Sequence, residues 1–435
     1  MNKVFWAASV VVLVGLGFSG SLRAESLVIC ADGSVAYGGI SKCKDRAQIP
    51  NVSSPGISAV RNARAEQKAV VDPCEVRPGT GSGPVVQEIS SPIRMRVYQR
   101  KGGFGKVPVI AKLVSSADCV QARILADDGT TEVVGWTPVA SGIVSAQTNV
   151  YQELTVPNGG WYFTQVRAIK GGAVGPVAAV DFIGVGEVFV TAGQSNSTFF
   201  GEAPQKTETG KVSYFDGAEW KICADALERV DPQSKGGAPW CLLGDMIVRG
   251  WGVPVAFAPS GWGGSSLNQW QKNATSSPGG QGVLYDRMKD MLRYFGAGGV
   301  RSVLWHQGES DFGTTSQDYS RKLKNVIEGS REGAGFDVPW LIAEVSYVGE
   351  LDTAFIKAHC APQSIDCNQY IHDQRLKLLN GQRALVDNKT IFKGAETDVL
   401  TGKTYRWDGI HMTVLGLQVS ASSWADHINA AFKDK

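Results

Sequence analysis

Ser195, His411 and Asp408 are the residue types a serine acyl transferase or hydrolase needs, and Gln307 is of a type that can serve an oxyanion. They occur in three short segments: Gly193-Gln194-Ser195-Asn196, Trp305-His306-Gln307-Gly308-Glu309, and Asp408-Gly409-Ile410-His411. A serine hydroxyl is a weak nucleophile at neutral pH. It needs an imidazole to take its proton, a carboxylate to orient that imidazole, and hydrogen-bond donors for the oxyanion. The three-residue step from Asp408 to His411 lets both side chains meet one cleft. The alternative for that segment is a helix cap by Asp408 or Thr413 with a solvated histidine. Ser195 beside Asn196 would, taken alone, read as a helix cap. Gln307 either donates its amide to an oxyanion or ties strand to loop as a buried amide. His306, Glu309 and Asp311 are assigned to loop geometry rather than to a metal, so neither metal nor cofactor is expected.

These residues need a scaffold that brings them to one edge. After Gly184 the apolar runs Val188-Phe189-Val190, Val255-Ala256-Phe257, Val303-Leu304-Trp305 and Leu341-Ile342-Ala343 read as buried parallel strands. Helix-period segments lie between them, with Leu284, Met288, Met291 and Phe295 on one and Tyr319, Leu323, Val326 and Ile327 on another. A final helix carries Leu417, Trp424, Ile428 and Phe432. This predicts a three-layer, doubly wound α/β domain over 184–435, whose ligands bind at the carboxyl ends of the strands. Ser195 follows the first strand, Gly263-Gly264 the second and Gln307 the third, all on that edge.

Upstream, residues 85–183 alternate short β-rich runs with turn signals at Asp128-Gly129 and Asn158-Gly159-Gly160, which predicts an antiparallel β-sandwich of the immunoglobulin or fibronectin kind. A structural spacer is the expected role, ahead of a sugar-binding module. Residues 25–84 are assigned a disulfide-tied segment, with a hairpin over Leu27 to Cys43, a short exposed helix over Arg61 to Lys68, and a linker from Pro78 to Pro84.

The 435 residues carry a net charge of only +2 and no basic stripe, so nucleic acid is not an expected partner. Lys3, the apolar stretch Val4 to Phe18 and Leu22-Arg23-Ala24 form an export signal over 1–24, with the mature chain starting at Glu25 and holding no stable membrane span. The eight cysteines fit a periplasmic or secreted protein, and the simplest pairing is sequential: Cys30–Cys43, Cys74–Cys119, Cys223–Cys241 and Cys360–Cys367.

Taken together, GQSNS, SGWGGSSLNQW, WHQGESD and DGIHMT resemble the ordered blocks of SGNH-type esterases, and most of all the branch of sialate O-acetylesterases and family-six carbohydrate acetyl esterases. The resemblance covers residues 184–435. It implies an SGNH-hydrolase-like fold with Ser195 as nucleophile, His411 as base and Asp408 as its partner. It also implies the Ser195 and Gly264 N–H groups and Gln307 as oxyanion donors. Ser197 stands where the sialate group usually carries Met. Trp262 and Trp407 are placed to line the mouth, where aromatic faces suit sugar rings, although ordinary packing would place them equally well. The expected activity is removal of O-acetyl groups from sialic acid or a polysaccharide through an acyl-serine. The competing readings are a glycan O-acetyltransferase using the same triad and a non-catalytic glycan-binding protein on a degenerate hydrolase domain.

Overall fold

In this computed structural model, residues 27–29, 35–37, 72–78, 81–349 and 366–432 are described. The chain divides into two units, Met1–Val70 and Val71–Lys435. In the first, β1 (Leu27–Ile29) and β2 (Val35–Tyr37) pair antiparallel with Leu27 opposite Tyr37, in keeping with the expected hairpin. The export signal over 1–24, the helix over 61–68, and Cys30, Cys43 and Cys360 lie outside the described residues.

The second unit opens with β3 (Val86–Ser91), β4 (Val97–Lys101), β5 (Phe104–Leu113), β6 (Ala117–Leu125), β7 (Glu132–Val144), β8 (Asn149–Pro157), β9 (Gly159–Lys170) and β10 (Ala173–Val174). β5 pairs antiparallel with β3 and β8, and β6 pairs antiparallel with β7 and β9. Alternation along β5 turns Val107, Val109, Ala111 and Leu113 inward, where they share one core with Val120, Ala122 and Ile124 of β6 and Val166 and Ala168 of β9. The Cys74–Cys119 disulfide ties the preceding segment to β6. Just ahead of the stretch expected to be a linker, Arg77 N–H donates to Gly172 O, and within it Gly83 N–H donates to Val174 O, where a Cβ on Gly83 would lie 2.3 Å from Ala173 O.

The rest of the chain supplies β11 (Ala178–Gly193), β12 (Val212–Phe215), β13 (Trp220–Ile222), β14 (Val255–Pro259), β15 (Ser302–His306), β16 (Trp340–Glu344) and β17 (Ile391–Glu396). The helices are α1 (Trp240–Trp251), α2 (Val283–Phe295), α3 (Ser316–Ala334), α4 (Cys367–Arg383), α5 (Gly402–Tyr405) and α6 (Val414–Phe432). The sheet order is β13-β12-β14-β11-β15-β16-β17, parallel except for β13. Both faces are buried. Val188, Val190 and Ala192 pack with Leu284 and Met288 of α2, Leu323 and Val326 of α3, and Leu378 of α4. Phe189, Phe257, Leu304 and Leu341 pack with Trp240, Leu243 and Ile247 of α1 and Trp424 and Ile428 of α6. Each large apolar side chain so buried contributes roughly 1.5–3 kcal/mol.

β11 is sixteen residues long and crosses residue 184 without a break. Its first part pairs antiparallel with β9, and its second part lies parallel between β14 and β15. At the crossing sits Glu187, fully buried, with Arg100 Nε 2.6 Å from Oε1 and Arg301 Nε 2.6 Å from Oε2. These ion pairs tie β4 and the start of β15 to the shared strand. A second disulfide, Cys223–Cys241, joins the loop after β13 to α1. Among the described residues no helix is long and apolar enough to cross a membrane.

Candidate active site

β11 delivers Ser195 to the carboxyl edge of the parallel sheet. Gly193 holds φ +132°, and a Cβ there would lie 2.0 Å from His306 O, so only glycine lets β11 and β15 close on each other at this point. Gln194 N–H then donates to His306 O at 3.0 Å, and the chain turns into a 3₁₀ helix over Ser195–Ser197. The Ser197 N–H and hydroxyl both donate to Gln194 O, at 2.8 and 2.7 Å. Thr198 N–H and Oγ1 close on Ser195 O, at 3.0 and 3.1 Å. Ser195 heads this turn, so its N–H lies outside the turn's own bonds. Among the described residues its hydroxyl makes no hydrogen bond.

The histidine arrives from the loop between α5 and α6. Asp408 Oδ1 accepts the Ile410 N–H at 2.9 Å and the His411 N–H at 2.7 Å, while Oδ2 stands 2.5 Å from His411 Nδ1. Burial alone would raise the Asp408 carboxyl, but hydrogen bonds from the His411 ring and from these two N–H groups outweigh it and hold it at about 2. An ionised Asp408 accepts the proton of Nδ1 and leaves the lone pair of Nε2 for a base. Asp408 is therefore not the cap of α6; that role falls to Thr413, whose Oγ1 accepts the Gly416 N–H at 3.0 Å. The loop docks on the nucleophile turn: Asn196 Nδ2 donates to Ile410 O at 3.3 Å, and Glu202 N–H to Met412 O at 2.9 Å. No hydrogen bond joins Ser195 Oγ to His411 among the described residues, as is common for catalytic contacts before substrate is bound. Phe200 stacks on the imidazole at 5.3 Å, and Trp407, half exposed, lies 6.4 Å from it.

The glycine loop follows β14. Trp262 N–H donates to Gly193 O at 3.0 Å, and Gly263 N–H to the buried Asp231 Oδ2 at 2.7 Å. Gly264 is exposed, with φ +68° and open space where a side chain would be. Trp262 packs partly against the core, with the Arg287 guanidinium 5.3 Å over its ring. The loop thus reaches the nucleophile turn, and Trp262 is more deeply seated than Trp407.

The third block carries Gln307. The residue is wholly buried, and its Nε2 faces Asp311 Oδ2 at 2.6 Å, Gln194 Oε1 at 3.2 Å and Ser265 O at 3.3 Å. Tyr319 OH donates to its backbone carbonyl at 2.6 Å. Its two amide hydrogens lie among three protein acceptors, so the side chain sits at the strand-to-loop tie. Gln194 is the glutamine with amide hydrogens to spare. Its Oε1 accepts from Gln307 Nε2, from Gly308 N–H at 3.4 Å and from Ser310 N–H at 3.0 Å, which fixes the orientation of the amide. No protein acceptor meets its Nε2 among the described residues. Asp311 also accepts the Leu267 N–H, at 2.8 Å, which joins the glycine loop to this block. His306 turns Nε2 to Thr397 Oγ1 at 3.0 Å, and burial holds its ring at about 3. Gln194, Asn196 and Phe200 were not singled out from sequence. The first two stand inside the GQSN segment, so the motif was the signal; Phe200 carried none that separates it from the core residue Phe199.

Residues 185–393 match the family model described as carbohydrate esterase, sialic acid-specific acetylesterase. No curated protein matches the chain. Among solved structures, a carbohydrate acetylesterase from Xanthomonas citri is similar at 17% identity, covering 80% of this chain and 76% of that one with a TM-score of 0.49. A protein from Arabidopsis thaliana is similar at 16% identity, covering 57% of this chain and 98% of that one with a TM-score of 0.40. A lipase/acylhydrolase from Enterococcus faecalis follows at 11% identity, 57% and 98% coverage and a TM-score of 0.35. Likenesses this distant carry no argument about chemistry. The matched segment holds the nucleophile turn, the glycine loop and the third block; over it the chain is similar to the sialic acid-specific acetylesterases among carbohydrate esterases, and the protein is a carboxylic ester hydrolase.

Proposed function

We propose that the protein is an exported serine esterase that removes O-acetyl groups from a carbohydrate, sialic acid or a polysaccharide, through an acyl-serine intermediate. Ser195 is the nucleophile, His411 the base and Asp408 its partner. The observation that carries this reading is the ionised Asp408 on His411 Nδ1, in a loop docked through Asn196 onto the serine turn.

His411 Nε2 takes the Ser195 proton as Oγ attacks the acetyl carbonyl. The oxyanion forms against the Ser195 and Gly264 N–H groups, with the Gln194 amide in the role first expected of Gln307. Collapse breaks the ester C–O bond, and His411 returns its proton to the departing sugar hydroxyl. Water, activated by the same imidazole, then releases acetate. Trp407 and Trp262 line the mouth and offer aromatic faces to the sugar. The scaffold is an SGNH-type three-layer domain preceded by an antiparallel β-sandwich acting as a spacer. Two disulfides, Cys74–Cys119 and Cys223–Cys241, support export to an oxidising compartment, the periplasm or the medium.

Acetate release from a chromogenic acetate ester, O-acetylated sialic acid and acetylated xylan, compared between the native enzyme and Ser195→Ala, tests the reading. Release that vanishes in the variant supports it. Acetyl transfer to an added sugar in preference to water would move the assignment to a transferase, and no turnover of any ester would leave only glycan binding.

A further inference from the structure

Behind the nucleophile lies a buried polar pair that the acyl-transfer chemistry leaves unused. Asn196, 5% exposed, comes from the turn after β11, and Glu309, 6% exposed, from the turn after β15. Asn196 Nδ2 donates to Glu309 Oε1 at 2.7 Å and to Ile410 O at 3.3 Å. Those two acceptors fix the amide's orientation, since turning it over would set its oxygen against both. The other polar atom of each side chain, Asn196 Oδ1 and Glu309 Oε2, is buried without a hydrogen-bond partner among the described residues. With Glu309 ionised, both would be buried acceptors that no protein donor answers among the described residues, which is costly.

We infer that Glu309 is a neutral carboxylic acid whose Oε2–H donates to Asn196 Oδ1, closing a two-bond acid–amide ring that locks the nucleophile turn to the histidine loop. A single proton then answers both orphaned atoms. The surroundings agree. Burial pushes the Glu309 carboxyl above its ordinary value, against weaker pulls from Asn196 and Arg406. Arg406 donates from Nε, Nη1 and Nη2 to Leu400 O, Ile410 O and Thr397 O, and among the described residues no hydrogen bond joins it to Glu309. Asp398, a like charge, is engaged by Arg375 and Ser346. His306 is neutral, Tyr319 is bonded to Gln307, and Asp311 is bonded to Leu267 and Gln307. Glu309 touches no reacting atom; it is a positioning residue, and only the kinetic part of its test rests on the proposed role of Ser195.

Glu309→Gln replaces the O–H donor with N–H and keeps both bonds, so kcat should stay within about threefold of the native value, whereas Glu309→Leu should lose about 10–100-fold in kcat with little change in KM. A Gln variant as impaired as the Leu variant would show that the anion is required and would overturn the inference. Two readouts do not depend on activity. Isotope-edited infrared spectroscopy of the native enzyme at neutral pH should show a protonated glutamate carbonyl band that Glu309→Gln removes, and a carboxylate signal alone would overturn the inference. Unfolding returns Glu309 to the ordinary value of 4.5, so native stability should decline relative to the Gln variant as pH rises above that value. Parallel profiles would contradict it. If Ser195→Ala retained activity, the reading of the nucleophile would fail while these two measurements still decided the protonation of Glu309.

Discussion

Replacing Asp408 by Asn probes the geometry of the histidine loop with one atom. Oδ1 accepts two backbone N–H groups, from Ile410 and His411, and Oδ2 faces His411 Nδ1 at 2.5 Å. An asparagine must choose which of these sites receives its nitrogen. Setting NH₂ against two backbone donors loses both bonds, so the oxygen stays there and the NH₂ faces Nδ1. The amide then donates to the imidazole, Nδ1 loses its proton, and the proton moves to Nε2, where the base is needed. The variant should fold normally and be in the wrong tautomer. A loss of roughly 10⁴ in kcat is expected on that ground, equivalent to about 5 kcal/mol of transition-state stabilisation. KM should change little, because Asp408 does not reach the substrate. A backbone carbonyl able to take over Nδ1 would soften the loss, but among the described residues that nitrogen faces Asp408. Steady-state hydrolysis of a chromogenic acetate ester near neutral pH, with circular dichroism to confirm the fold, measures the effect. A well-folded Asp408→Asn within tenfold of the native kcat would refute the reasoning.

Gln194→Glu keeps Oε1 for its three donors and removes the amide hydrogens, so it should lower kcat by roughly 10²–10³ with little change in KM. Gln307→Ala should instead appear first in thermal unfolding, since it strands Asp311 and Ser265 O, at about 1–3 kcal/mol for each buried group left unanswered. Trp407→Ala should leave hydrolysis of a small acetate ester nearly intact while raising KM for an acetylated glycan, and equal effects on both substrates would remove Trp407 from the sugar site. Glu187→Ala leaves Arg100 and Arg301 uncompensated where β11 passes between the two parts of its unit, and denaturant titration should show a loss of about 3–5 kcal/mol.

The parallel strands were readable because they are buried on both faces and therefore run continuously apolar, as in Val303-Leu304-Trp305. β17 was not, because Lys393 and Gly394 interrupt an edge strand that needs only partial burial. β12 is four residues long, too short for periodicity to register, although all four are buried. The histidine loop was legible because Asp408 and His411 are close in sequence and interact locally. The surroundings of Gln307 were not legible for the opposite reason: its partners come from Gln194, Ser265 and Asp311, and residue type alone does not say which glutamine its neighbours engage. The pairing of Asn196 with Glu309 spans more than a hundred positions and likewise needed the fold.

The central claim is that Ser195 carries the acetyl group between the two half-reactions. Its most direct test is rapid acid quench of the enzyme during turnover of an acetate ester, followed by peptide mass analysis. The account predicts the mass of one acetyl group on Ser195 in the native enzyme, accumulating further in a variant slowed in deacylation and absent from Ser195→Ala. Acetyl on another residue, or turnover by Ser195→Ala at the native rate, would contradict it.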